Sequence, residues 1–341
     1  MNEPIFIARQ DTLEQEILPA HWLSHYKLFG EESYTFQDKE IWKRLCMSRA
    51  AANDRDMHAE ALEEMLTTFS AEHTGKWMLT VYGMDAAVLE GLASMAAVAG
   101  NGTAMAAVAG NALLMHAITN SQTAMRAIAN SQTAMHAIAN SETAMQRIAN
   151  STTAMDAIGG SKIARDAVQA SPYYDAKIKE NDMAIAKLVV GFANLESARY
   201  SGCAGMAADS TAMTAVAASS TAMTAVAASA TAMGKIAAVD AALSKLAAST
   251  TAMDALYARK KQMKGGSASK SGKFIILEIS QSNAFNTSKY GYATLSDGSK
   301  PDWSSYLAKY AFFQKYPKYA TYMLNDTDSD DYIYYFDIAS P

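Results

Sequence analysis

Ser121–Asn130, Ser131–Asn140 and Ser141–Asn150 read SQTAMRAIAN, SQTAMHAIAN and SETAMQRIAN, one ten-residue word written three times. Ser151–Gly160 follows as STTAMDAIGG, and Met105, Met115, Met125, Met135, Met145 and Met155 keep the phase. A second array carries the same word at Met213, Met223, Met233 and Met253, with Leu243 in the remaining slot. A short fixed period specifies a stacked body whose units touch only near neighbours.

The period decides among three structures. In a continuous helix, ten residues leave each Met about 80° short of the last, so its apolar stripe winds round the axis and makes no coiled-coil seam. A strand needs two-residue alternation and β-branched residues, but Met125 and Ile128 have opposite parity and Ala dominates. A short helix closed by a turn in every repeat fits best, with one long amphipathic helix as the competing reading. Ser131 suits an N-cap, accepting from the amide of Thr133 or Ala134. Asn130, and Gly100, Gly110 or Gly160 in equivalent places, suit a left-handed helix end.

Met125 and Ile128 then share one face, and so short a helix needs its neighbours to be stable. A zigzag of such helices completes a coil every two words. The residue after each Met (Ala106, His116, Arg126, His136, Gln146, Asp156, Asp166) shares no chemistry beyond tolerating water, which predicts a solvent face. His116 and His136 would then lie one coil apart on one side, as variable surface residues. Val168, Ile178 and Leu188 keep the Ile phase, so Ser161–Tyr200 reads as degenerate repeats, with a surface bulge at Pro172, Tyr173 and Tyr174. The register slips by two residues around Ser201–Ser210.

The expected architecture is mainly α: an α-solenoid of ten-residue helix-turn repeats, with a helical N-terminal domain and a small α+β C-terminal domain. Residues 1–83 form an anchoring or capping domain, 84–200 the first array and 201–258 the second. Residues 259–273 (RKKQMKGGSASKSGK) form a Gly/Ser/Lys linker, and 274–341 a Tyr-rich terminal domain. In the first of these, Phe36–Arg49 and Asp56–Phe69 read as helices, and His21 and His25 stand at metal-clamp spacing without a third ligand. In the last, Phe274–Ile279 and Tyr332–Ile338 read as strands, Ser296–Ser299 as a turn, and Trp303–Gln314 as a helix capped by Asp302.

The chain has 341 residues, half of them hydrophobic, with net charge −5 and two cysteines, Cys46 and Cys203. Mean hydropathy is only −0.07 because much of the apolar fraction is Ala. This balance gives no electrostatic footprint for nucleic acid. Polar residues break every word, so no membrane insertion is expected. The opening MNEPIFIARQDTLEQEIL has charges where a secretory core would be, so no signal peptide is expected. Two cysteines suggest no disulfide framework. No triad order, phosphate loop or dinucleotide fingerprint stands out, and the chain is expected not to be an enzyme.

Tyr290, Tyr292, Trp303, Tyr319 and Tyr322 are candidate receptor contacts, because such side chains offer rigid area with a polar tip. Asp326, Asp328 and Asp330 alternate as calcium ligands do, with Asp331 beside them, but the turn glycine of an EF-hand is missing. Calcium is thus the one cofactor suggested, against an acidic solvated loop.

The repeat words at Thr123–Ser131 and Thr133–Ser141, TAMRAIANS and TAMHAIANS, resemble repeats in tail-fibre-like and other virion proteins of tailed bacteriophages. The resemblance covers Met95–Asp156 well and Thr211–Leu256 in part, and does not reach the C-terminal domain. It implies a virion component assembled in the host cytoplasm, whose partners are other virion proteins and a host cell-surface glycan or protein. The N-terminus would anchor, the repeats would space, and the C-terminal domain would bind the host. The alternatives are a purely structural collar, baseplate or decoration protein whose C-terminal domain docks on another virion protein, and a glycan-degrading tail protein using Asp326–Asp331. Oligomeric state stays open, since many fibres are trimers but an α-solenoid buries its core within one chain.

Overall fold

The computed structural model describes residues 88, 91, 92, 94–280, 291–301, 308–326 and 331–341. The expected N-terminal domain, with its helices and the His21–His25 pair, lies outside these residues. The protein is mainly helical, with a small antiparallel sheet at the C-terminal end. It divides into two compact units, Met1–Tyr174 and Asp175–Pro341.

In the first unit each word is one short helix: α1 Met95–Gly100, α2 Gly102–Gly110, α3 Ala112–Thr119, α4 Gln122–Ala129, α5 Gln132–Ala139, α6 Glu142–Ala149, α7 Thr152–Gly160 and α8 Lys162–Gln169. Ser131 Oγ accepts from the Ala134 amide at 3.2 Å, and Ser141 and Ser151 repeat the bond on Ala144 and Ala154. This satisfies one of the amides a helix start leaves open. The helix ends differ from expectation. Asn130 sits at φ −94°, ψ 0° and Ser131 is extended, so one bridge-region residue and one extended residue turn the chain without a left-handed step. The Asn instead caps through its side chain: Asn140 Nδ2 donates to the His136 carbonyl at 2.9 Å.

The coil also differs. Each helix packs on its sequence neighbours and on the third helix along: α1 on α4, α2 on α5, α3 on α6, α4 on α7 and α5 on α8. Three words, rather than two, bring the chain back over itself. The cap serines record this spacing. Ser131 Oγ donates to Ala99 O at 2.6 Å, Ser141 to Ala109 O at 2.5 Å, Ser151 to Thr119 O at 2.6 Å and Ser161 to Ala129 O at 2.5 Å, each spanning 32 residues. One hydroxyl thus caps its own helix and fills an open carbonyl at the end of the helix one layer away. Three words win over two because Ala124 and Ala129, both buried, let three backbones close around the Met and Ile side chains. Met105, Met115, Met125, Met135, Met145 and Met155 are wholly buried, as are Ile128, Ile138, Ile148 and Ile158.

The column after Met faces solvent, apart from the half-buried Asp156. Because each helix packs on the third along, His136 on α5 faces α8, where Asp166 lies beside it, rather than standing one coil from His116. Arg165 occupies the Met slot of α8, buried, with Nη1 donating to Gly159 O at 2.6 Å. The expected surface bulge is exposed at Pro172, but Tyr174 turns inward and is buried.

Past the division, where α9 (Tyr174–Lys177) lies, the second unit continues with α10 Asp182–Phe192, α11 Cys203–Ala208, α12 Ser210–Ala218, α13 Ser220–Ala228, α14 Ala230–Ala237, α15 Asp240–Ala247 and α16 Thr250–Tyr257. The same third-neighbour packing pairs α10 with α13, α11 with α14, α12 with α15 and α13 with α16. Ile185 and Cys203 fill successive Met slots, so the register slip is a lengthened word: α10 runs on and a 3-10 turn, Ser197–Arg199, follows it. The buried Lys187 donates to the Ser197 carbonyl at 3.1 Å, tying this extra turn down. Glu180 reaches across to cap α14, accepting from the Ala230 and Thr231 amides at 3.1 and 2.8 Å.

The sheet comprises β1 Lys261–Lys264, β2 Ala268–Ser280, β3 Tyr292–Leu295, β4 Ala320–Asn325 and β5 Tyr332–Asp337, in the order β1-β5-β2-β4-β3. The expected linker, Arg259–Lys273, therefore contains β1 and the start of β2. Its glycines make the turn between them, with Gly266 and Ser267 at φ +92° and +65°. The expected strands at Phe274–Ile279 and Tyr332–Ile338 lie within or over β2 and β5, and the chain turns at Ser296–Gly298. Within the described part of the helix expected at Trp303–Gln314, residues 308–310 are not helical and α17 spans Ala311–Lys315, because Tyr310 takes φ +71° and donates its amide to Leu277 O at 2.5 Å. Residues 302–307 lie outside the described part.

One face of the sheet is a core of Phe274, Ile276, Ile279, Ala293, Leu295, Met323, Ile333 and Tyr335, joined by Phe312 from α17. The register puts Ser269, Ser271, Tyr292, Thr294, Tyr322 and Leu324 on the opposite face.

Candidate interaction surface

Within the second unit the sheet is latched to the last helices. Only Ala258, Arg259 and Lys260 separate α16 from β1. The seam is polar and aromatic. Tyr257 donates to Glu278 at 2.5 Å, and its ring meets Tyr310 edge-on at 5.8 Å. Asp254 accepts from the Tyr310 hydroxyl and from Lys309 at 3.2 Å. Lys318 reaches Asp240 at 2.7 Å and Asp297 at 3.5 Å.

These contacts shift the groups that make them. The Tyr310 hydroxyl, then Lys309, hold the Asp254 carboxyl below its usual range. Asp297 is lowered chiefly by Ser299, and Lys318 is raised chiefly by Asp240. Burial, then Glu278, pushes the Tyr257 phenol up, and burial, then Asp254, does the same to Tyr310.

The three candidate receptor contacts among the described residues separate. Tyr292 and Tyr322 come together, rings 5.8 Å apart and tilted 39°, on the face away from the core. Lys300 lies 5.9 Å from the centre of the Tyr292 ring. Tyr319 stands under Lys273 instead, at 5.6 Å, and its carbonyl accepts from Ser296 at 2.9 Å. Tyr290 and Trp303 lie outside the described residues. Of the other tyrosines described beyond residue 260, Tyr310 and Tyr335 are buried.

The candidate calcium ligands are in part accounted for otherwise. Asp326 accepts from the Ser267 hydroxyl, and the buried Asp331 accepts the Gly265 amide through its carbonyl at 2.8 Å. Asp328 and Asp330 lie outside the described residues. Among the described residues no three His, Cys, Asp or Glu side chains gather as a metal site. Nor is any single helix there long and apolar enough to cross a membrane.

The seam was not anticipated, though one residue signals it. Ala217, Ala227, Ala237 and Ala247 fill the slot four places after Met or Leu, where the small side chain lets helices close. In the last word that slot holds Tyr257, because what packs there is a sheet rather than another helix.

No family model matches the chain, and no curated protein is significantly similar to it.

Proposed function

We propose that this protein is a structural component of a bacteriophage virion, a tail-fibre or adhesin-like protein and not an enzyme. In this reading the decapeptides form an α-solenoid with three helices per coil, which spaces an anchoring N-terminus from a host-binding C-terminal domain. The observation that carries it is the latch. A sheet fastened to the last helices by Tyr257, Asp254 and Asp240 suits a fixed head better than a tethered one. The latch leaves Tyr292 and Tyr322 half-exposed on the sheet's outward face. The resemblance of the repeats to tail-fibre-like proteins supports the same reading, and the receptor would be a host cell-surface glycan or protein.

Gold-labelled antibody against Lys261–Pro341, applied to particles that contain the protein, tests the reading. Label at the free tip of a fibre is expected. Label confined to a collar or baseplate would replace it with the purely structural alternative.

A further inference from the structure

Strands β3, β4 and the first half of β2 present one outward strip. Tyr292 and Thr294 come from β3, Tyr322 from β4, and Ser269 and Ser271 from β2. Ser269 and Ser271 are exposed and the other three half-exposed. In register, Tyr292, Leu324 and Ser269 form one row and Thr294, Tyr322 and Ser271 the next, so two aromatic rings stand among three hydroxyls with Leu324 between. The two tilted rings offer non-parallel apolar faces, and the hydroxyls both donate and accept hydrogen bonds. That combination matches a sugar, whose ring has apolar C–H faces and a hydroxyl rim.

Lys300 adds a charge. Its side chain is exposed, it lies over Tyr292, and among the described residues no carboxylate pairs with it. Among the described acids the nearest in sequence, Asp297, is already engaged by Ser299 and Lys318. Among the described residues, then, no acid takes up the ammonium's donors.

Resting on the host-binding reading above, we propose that this strip binds an acidic sugar chain. Tyr292 and Tyr322 stack on two sugar rings, the Ser269, Ser271 and Thr294 hydroxyls meet the rim, and Lys300 pairs with a carboxylate or phosphate on the sugar. The neutral residues set affinity for the chain, and Lys300 sets the preference for acid.

Isothermal titration of the full-length protein tests it, with tetragalacturonate, phosphorylated maltotetraose and plain maltotetraose as probes. At least one acidic probe is expected to bind, and to bind tighter than plain maltotetraose. Lys300→Gln should weaken that acidic probe about tenfold, the scale of one charge-assisted contact, and leave plain maltotetraose unchanged. The acidic advantage should also shrink as salt rises. Lys300 is exposed, so its substitution leaves the fold intact; Tyr322→Ala, checked by its melting curve, should remove binding of all probes. Equal binding of neutral and acidic probes, or an acidic preference that survives Lys300→Gln, overturns the proposal. So does failure of all three probes; in that case continued binding of the full chain to host cells would leave the host-binding reading standing, and its loss would remove both.

Discussion

Replacing Ser151 with Ala removes two bonds at once. The hydroxyl accepts from Ala154 at 3.2 Å and donates to Thr119 O at 2.6 Å. Losing an N-cap costs about 1 kcal/mol. Losing a bond to a part-buried carbonyl costs about 1 kcal/mol more. Together they give roughly 2 kcal/mol, or about 4–8 °C in Tm for a cooperative unit of this size. Ser151→Asp separates the two terms: a carboxylate caps, as Asp209 does for Thr211 and Ala212, but has no proton to give Thr119. About half the loss should remain. Urea unfolding gives the total, and amide exchange at Ala154 and at the end of α3 gives its location. If Ser151→Ala costs under about 0.5 kcal/mol, the lower edge of a cap's worth, or if Ser151→Asp matches wild type, the serine does not join layers as described.

Three other outcomes follow from the same contacts. Met135→Ala, at a wholly buried site, should cost about 2–5 kcal/mol in urea unfolding, whereas Met135→Leu should cost under about 1.5 kcal/mol, since Leu243 fills the equivalent slot wholly buried. Tyr257→Ala removes the ring that meets Tyr310 and Tyr334; it should destabilise the seam by about 3 kcal/mol, with amide protection lost in β1 and β5 and kept in α12–α14. The seam should also weaken at both pH extremes. Asp254 is depressed, so its contribution is full above the ordinary Asp value of about 3.9 and is lost as pH falls through the lower folded value. Tyr257, Tyr310, Lys309 and Lys318 are raised, so theirs is full below their ordinary values of about 10 and is lost as pH rises through the folded ones. Amide exchange in β1 against pH reads both limbs, and a flat profile between pH 2 and 12 would remove the seam's ionic character.

How much of this was legible in the sequence depends on the range of the interaction. Caps, helix lengths and the inward Met and Ile are set within ten residues, and SxTAM with IAN carries them. The number of helices per coil is not, because it depends on how closely Ala124 and Ala129 let backbones approach across a layer. The serine gave no hint of its second bond, since only the coil brings Ser151 to Thr119. Arg259–Lys273 misled for a related reason: its Gly, Ser and Lys suit a solvated joint, but Ala268 and Lys270 alternate toward the core face once β4 lies beside them. At the candidate surface, aromatic density singled out the C-terminal domain. Only strand register could select Tyr292 with Tyr322 and set Tyr319 apart.

The claim on which the rest stands is that every third helix is a layer neighbour. Cross-linking tests it most directly, using full-length Cys46→Ser protein with paired cysteines and a short bismaleimide. His136→Cys with Asp166→Cys, thirty residues apart on α5 and α8, should link within one chain, and His116→Cys with His136→Cys, twenty apart on α3 and α5, should not. Efficient linking of the twenty-residue pair, with none at thirty, would contradict the three-helix coil and restore a two-helix one.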